Sequence, residues 1–103
     1  MKFLNYKKTH RGFRYIEFTD TYDVKCSLQK SSSAMEEKIW LGVDDANPQV
    51  MASQTPQGGN GWVPFHIPDN VLLTTRMHLN QKQVKKLISV LQHFVDTGEL
   101  PDK

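Results

Sequence analysis

Alternation of apolar and polar positions dominates the first half of the chain. FRYIEF (13–18) alternates and is rich in aromatic and β-branched residues, which predicts a strand. VKCSLQ (24–29) sets Val24, Cys26 and Leu28 on one face and Lys25, Ser27 and Gln29 on the other. The intervening TDTYD (19–23) carries Asp and Thr side chains that bond local backbone, so the two runs predict a β-hairpin with one buried face. KIWLGV (38–43) predicts a third strand and QVMAS (49–53) a fourth. VLLTTRMHL (71–79) predicts the last. In it Val71, Leu73, Thr75, Met77 and Leu79 share one face, and Leu72, Thr74, Arg76 and His78 the other.

The period then changes. Val84, Leu87, Ile88, Leu91, Phe94 and Val95 recur at helical spacing. Asn80 and Gln83 form a capping-box pair, Leu79 and Val84 a hydrophobic staple, and Gly98 a terminating C′ residue. The expected fold class is α+β: a small antiparallel β-sheet of about four to five strands packed by a C-terminal amphipathic helix. Residues 1–103 make a single domain, with 1–12 as a polar lead-in. Ser33-Ala34-Met35-Glu36 reads as a second capping box, opening a short helix before the third strand. QTPQGGNG (54–61) predicts a mobile loop, and WVPFHIPDN (62–70), with two prolines, an extended surface run.

Composition narrows the function classes. Hydrophobic content of 38% and charged content of 23% fit a folded domain. No apolar run approaches a membrane span, and MKFLNYKKTH lacks the apolar core of a signal peptide. One cysteine, Cys26, excludes an internal disulfide and suits a reducing cytoplasm. A net charge of +2 is too mild for duplex DNA but leaves room for a local basic patch. The histidines His10, His66, His78 and His93 lack metal-ligand spacing. Cys26 falls on the apolar face of its strand and reads as a structural thiol. The serines have no nucleophile elbow, and GGNG is not followed by the lysine of a phosphate-binding loop. The expectation is a binding protein with no cofactor and no metal, not an enzyme.

Binding chemistry is easier to assemble. Arg76 offers a planar fork for phosphate, with His78 and Thr74 on the same strand face. Lys25, Ser27 and Gln29 form a second polar face leading into Lys30 and Ser31. Ser31 and Ser32 stand as anion donors, whereas Ser33 serves as the cap. Arg76 could instead pair with Glu17 or an acidic turn residue. Trp40, in an apolar run, reads as core. Trp62, between a glycine loop and a proline, reads as an exposed aromatic lid or oligomer contact.

GFRYIEFTDTYDVKCSLQKSSSA, IWLGVDDANPQVM, RMHLNQKQV and LQHFVDTGEL resemble segments of small proteins encoded by bacteriophages and prophages, over about residues 12–100. Such proteins are often counter-defence factors. The type that best suits this site is the Thoeris anti-defence sponge, a small oligomer that sequesters a cyclic ADP-ribose signal without cleaving it. The resemblance implies a homo-oligomer and a small anionic nucleotide ligand, in the cytoplasm of an infected bacterium. The site set Arg76, His78, Thr74, Trp62, Lys30, Ser31 and Ser32 is chosen on chemistry and not transferred from that family. Two rivals are an anti-CRISPR-like inhibitor that binds a host defence protein directly, and a structural or regulatory phage protein.

Overall fold

Ile16, Leu28, Leu41 and Met77 lie opposite one another across four strands, and this row organises the molecule. The computed structural model describes residues 2–102. Its main sheet holds β1 (Asn5–Lys8), β2 (Arg14–Thr19), β3 (Lys25–Lys30), β4 (Lys38–Val43) and β7 (Arg76–Asn80). All neighbours are antiparallel, in the order β1-β2-β3-β4-β7. A separate two-stranded ribbon pairs β5 (Gln49–Met51) with β6 (Trp62–Pro64). One helix, α1 (Gln81–Thr97), follows β7. The α+β class is as the alternation and the helical period require.

Side-chain alternation gives the main sheet two unlike faces. Phe18, Cys26 and Val43 form a second apolar row beside the first. The opposite face carries Tyr15, Gln29, Trp40 and His78 in one row and Glu17, Ser27, Gly42 and Arg76 in the next. The β2–β3 turn is held by Asp20, whose Oδ1 accepts from the backbone N–H groups of Tyr22 and Val24 at 2.8 and 3.0 Å. That is the local bonding expected of Asp in a turn.

Several boundaries differ from expectation. The lead-in contains β1, which pairs with β2 through Tyr6↔Ile16 and Lys7↔Tyr15. Basic and polar residues disguised it because it is an edge strand with exposed side chains. Residues 49–53 do not join the main sheet: Gln49–Met51 pairs with Trp62–Pro64, and Ala52 donates to the Gly61 carbonyl to close the glycine loop. The last strand begins at Arg76, not Val71. Its partner β4 ends at Val43, and residues 71–75 instead run beside the 44–48 turn. No helix starts at Ser33, whose backbone N–H donates to Ser31 Oγ at 3.2 Å. The serine run makes a side-chain-closed turn in place of a cap.

The capping box of α1 is present as expected. Asn80 Oδ1 accepts from the Gln83 N–H at 2.9 Å, and Asn80 N–H donates to Gln83 Oε1 at 3.0 Å. Gly98, at φ 79°, ends the helix by donating to the Phe94 carbonyl at 2.7 Å. The helix does not lie across its own sheet, however. Its main contact is with β7, where Val84 meets Leu79 and Ile39 around a small apolar cleft. The rest of its apolar stripe is open, with Leu91 58% and Val95 73% exposed. Among the described residues, only Cys26 and Ala52 are buried apolar side chains.

β4 and β7 approach closely at Gly42, where φ is 154° and a Cβ would stand 2.6 Å from the Thr75 carbonyl oxygen and 2.9 Å from Arg76 Cα. Neither is a movable side-chain tip. Gly42→Ala is expected to lower stability by about 1–3 kcal/mol, read as a fall in the urea midpoint at unchanged slope. Burial pushes the Cys26 thiol above its ordinary value, with Asp20 and Asp44 adding to the effect. A raised folded value means stability present at neutral pH and lost as pH rises past the ordinary thiol range. Native Cys26 is therefore expected to react with a thiol reagent far more slowly than in urea, and stability to decline on the alkaline side. A Cys26→Ser control, lacking that decline, isolates the thiol's share.

Candidate functional site

Trp40 is the centre of the polar face. On β4 it shares a side with Lys38 and Gly42, while Ile39, Leu41 and Val43 take the other. His78 sits opposite on β7 and stacks on it, with ring centroids 3.8 Å apart and planes 4° from parallel. The Arg76 guanidinium carbon lies 5.7 Å from the Trp40 ring centroid, within cation–π range. Arg76 Nη1 donates to Gln29 Oε1 at 2.8 Å and, more weakly, to Ser27 Oγ at 3.4 Å. Ser27 in turn donates to Asp44 Oδ1 at 2.7 Å. Arg76 therefore has no direct carboxylate partner in this network; it reaches Asp44 through a buried serine.

The clefts on either side of this row differ in charge. One, of about 290 Å³, is lined by Tyr15, Glu17, Ser27, Gln29, Asp44 and Arg76. Its two carboxylates oppose an anion there. The other, of about 250 Å³, includes His10, Arg11, Phe13, Lys30, Ser32 and Trp40. It joins two aromatic rings to cationic and hydroxyl groups, the set that takes a base and a phosphate. The β1–β2 turn builds its rim. Thr9 Oγ1 accepts from the Phe13 N–H at 3.0 Å, and Gly12 adopts φ 87° to close the turn. Arg11 is left at the tip, its guanidinium carbon 5.4 Å from the Phe13 ring centroid. A roomier hollow of about 680 Å³ includes Lys2, Lys25, Glu17, Asp44 and Asp45 in its lining, with three carboxylates to two ammonium groups, and touches neither Trp40 nor Arg76. Size alone does not locate the anion chemistry.

The structure gathers some of the expected residues and separates others. Arg76, His78 and Ser31 come together beside Trp40. Ser31 is not a free donor. It is buried, 5% exposed, and its hydroxyl is shared between His78 Nε2 at 2.9 Å and the Ser33 N–H. Ser32 is exposed and, with Lys30, lines the basic cleft. In register Lys30 stands opposite Ile39, and its ammonium pairs with the exposed Glu37 and donates to the Ser31 carbonyl at 3.3 Å. Thr74 lies in the irregular segment before β7, outside the ladder that fixes Arg76 and His78. Trp62 is 65% exposed on the β5–β6 ribbon and lines neither cleft.

Trp40 is half-buried on the polar face, so the core reading is corrected. The signal was present in the alternation of Ile39, Leu41 and Val43, which places Trp40 opposite them. His10, Arg11 and Phe13 were missed because β1 was not recognised, and without it no hairpin brings them to Trp40. Among the described residues no three His, Cys, Asp or Glu side chains cluster to hold a metal ion, and no helix is long and apolar enough to cross a membrane.

Ser31→Ala separates a structural from a ligand-binding role. Its buried hydroxyl links two segments, so the substitution is expected to cost about 1 kcal/mol without any ligand, measured by urea denaturation. An unchanged midpoint would remove the structural assignment. In comparison with known proteins, the chain matches no family model, no curated protein and no solved structure.

Proposed function

We propose that this chain is a phage counter-defence protein that binds a cyclic nucleotide signal of the cyclic ADP-ribose type and holds it without cleaving it. The observation that carries this reading is the basic cleft, where Trp40 and Phe13 stand with His10, Arg11, Lys30 and Ser32. Adenine has a face to stack on the aromatic rings, worth about 1–3 kcal/mol per base. A diphosphate bridge has the Arg11 fork and the Lys30 ammonium. Hydroxyls of Thr9 and Ser32 suit ribose. His78 and Arg76 hold Trp40 from the far side, which fixes the stacking platform before a ligand arrives.

Sequestration asks only for ground-state affinity and needs no group aimed at a transition state. The cleft is smaller than the roughly 300–1,000 Å³ usual for a small-molecule site. A homo-oligomer in which a neighbouring subunit closes the cleft supplies the missing enclosure. Such a protein would act in the host cytoplasm, where the signal is made.

The test incubates purified protein with lysate from cells producing the signal, washes it, denatures it by heat and identifies released nucleotide by mass spectrometry. An intact cyclic nucleotide in the released fraction is the expected result. Arg11→Ala combined with Lys30→Ala should lower the retained amount at least tenfold, since two charge-assisted contacts of about 1.5–3 kcal/mol each are lost. An empty fraction, with the signal still free in the lysate, would overturn the reading.

A further inference from the structure

Both apolar surfaces of this chain are left open in large part, although Cys26 is buried and Phe3 packs on Phe18 at one side of the sheet face. On the sheet, Tyr6, Ile16, Leu28, Leu41 and Met77 form one continuous row, with Tyr6 and Met77 exposed at its ends. On the helix, Leu87, Ile88, Leu91, Phe94 and Val95 form one stripe, all exposed. The two are continuous, because the stripe begins at Val84, which meets Leu79 and Ile39 on the apolar side of the sheet. The chain cannot close this surface on itself. Asn80 is both the last residue of β7, opposite Lys38, and the N-cap of α1. Reversing direction onto the sheet takes a connection of about 2–6 residues. Here there is none.

The dimensions show how much is left open. The accessible surface is 9129 Å², where a compact chain of 11.9 kDa has about 5,900 Å². The radius of gyration is 17.8 Å, against about 13 Å for a compact chain of this length. The surplus of roughly 3,000 Å² exceeds several-fold the approximately 800 Å² that each partner contributes to an ordinary stable interface.

We infer that the occupant is a second copy of this chain: α1 of each copy lies on the apolar sheet face of the other, exchanged about a two-fold axis. One operation then covers both surfaces, since each chain supplies one helix and one sheet face. The sizes agree. Seventeen helical residues span about 25 Å, and five strands about 19 Å from first to last axis. The exchange leaves the polar face with Trp40 and Arg76 open. The contact that would close the basic cleft is therefore a separate one, and this inference stands on the apolar faces alone. Its test therefore uses protein without nucleotide.

The mass of the purified chain is read by analytical ultracentrifugation at tens of micromolar. A dimer or a multiple of it is expected, and Leu91→Glu with Phe94→Glu should at least halve the mass. Because an unpartnered helix can unfold, a second measurement keeps the helix sequence nearly intact. In a Cys26→Ser background, a tagged Met77→Cys chain is mixed with an untagged Leu91→Cys chain under mild oxidation. A covalent tagged–untagged pair is expected. A monomeric mass for the unmodified chain overturns the inference. So does an oligomer that joins Leu91→Cys chains only to each other, which would mean helices pairing with helices. Either failure leaves nucleotide retention by the basic cleft as a separate result.

Discussion

The passage from sheet to helix at Asn80 sets the form of this molecule. One residue completes the β7 ladder against Lys38 and caps α1 through its reciprocal bonds with Gln83. A capping box fixes the entry geometry of a helix, so the direction of α1 is decided where the strand ends. With no linker to turn it, the helix carries its apolar stripe away from the strands that would cover it. The small buried core follows from this. Cys26 and Ala52 are buried, while Leu28, Leu41 and Ile39 remain half-open. In so small a chain the burial needed to offset chain entropy is hard to find even in a compact shape. An extended one makes the shortfall larger.

The two faces of the sheet divide the work because strand alternation leaves no choice. Shifting any pair by one residue would exchange the faces throughout. Register thus ties the site to the core: the ladder that sets Leu41 opposite Met77 also sets Trp40 opposite His78. Gly42 adds a second constraint. Its missing Cβ lets β7 approach where Arg76 begins, and this brings the guanidinium over Trp40 and within reach of Gln29 on the next strand. The polar network depends on this close approach of β4 and β7 at Gly42.

How much of this was legible in the sequence depended on whether the signal was local. The β2–β3 hairpin, the α1 capping box and the Gly98 stop were legible because each is written within a few neighbouring residues. β1 was not, because an edge strand with both faces in water has no need of alternating apolar residues. That miss removed His10, Arg11 and Phe13 from the candidate site. The serine run misled for a different reason. Ser33 and Glu36 satisfy the pattern of a capping box, but Lys38 must already enter β4, so no helix has room to form. The serines solve a turn, with Ser31 Oγ taking the bond a cap would have made. Lys30 and Ser32 line the basic cleft because they flank the end of β3. Thr74 lies outside the ladder because the regular alternation begins only at Arg76.

The charge balance links these two levels. A net charge of +2 gives no sign of an anion site, and the sheet distributes charge unevenly on purpose of geometry alone. Glu17 and Asp44 fall on the β2 and post-β4 side of Gln29, where the buried Ser27 connects Asp44 to Arg76. Arg11 and Lys30 fall beyond Trp40, at the end where the β1–β2 turn overhangs β3. Local field, not total charge, attracts a small anion, because screening limits each charge to about 8–10 Å. The same Trp40 ring borders the basic cleft and carries the cationic Arg76 near its face. Its position is therefore set by His78 and Arg76 while the ring lines the basic cleft, and this is how a sheet with so little core presents a defined aromatic wall.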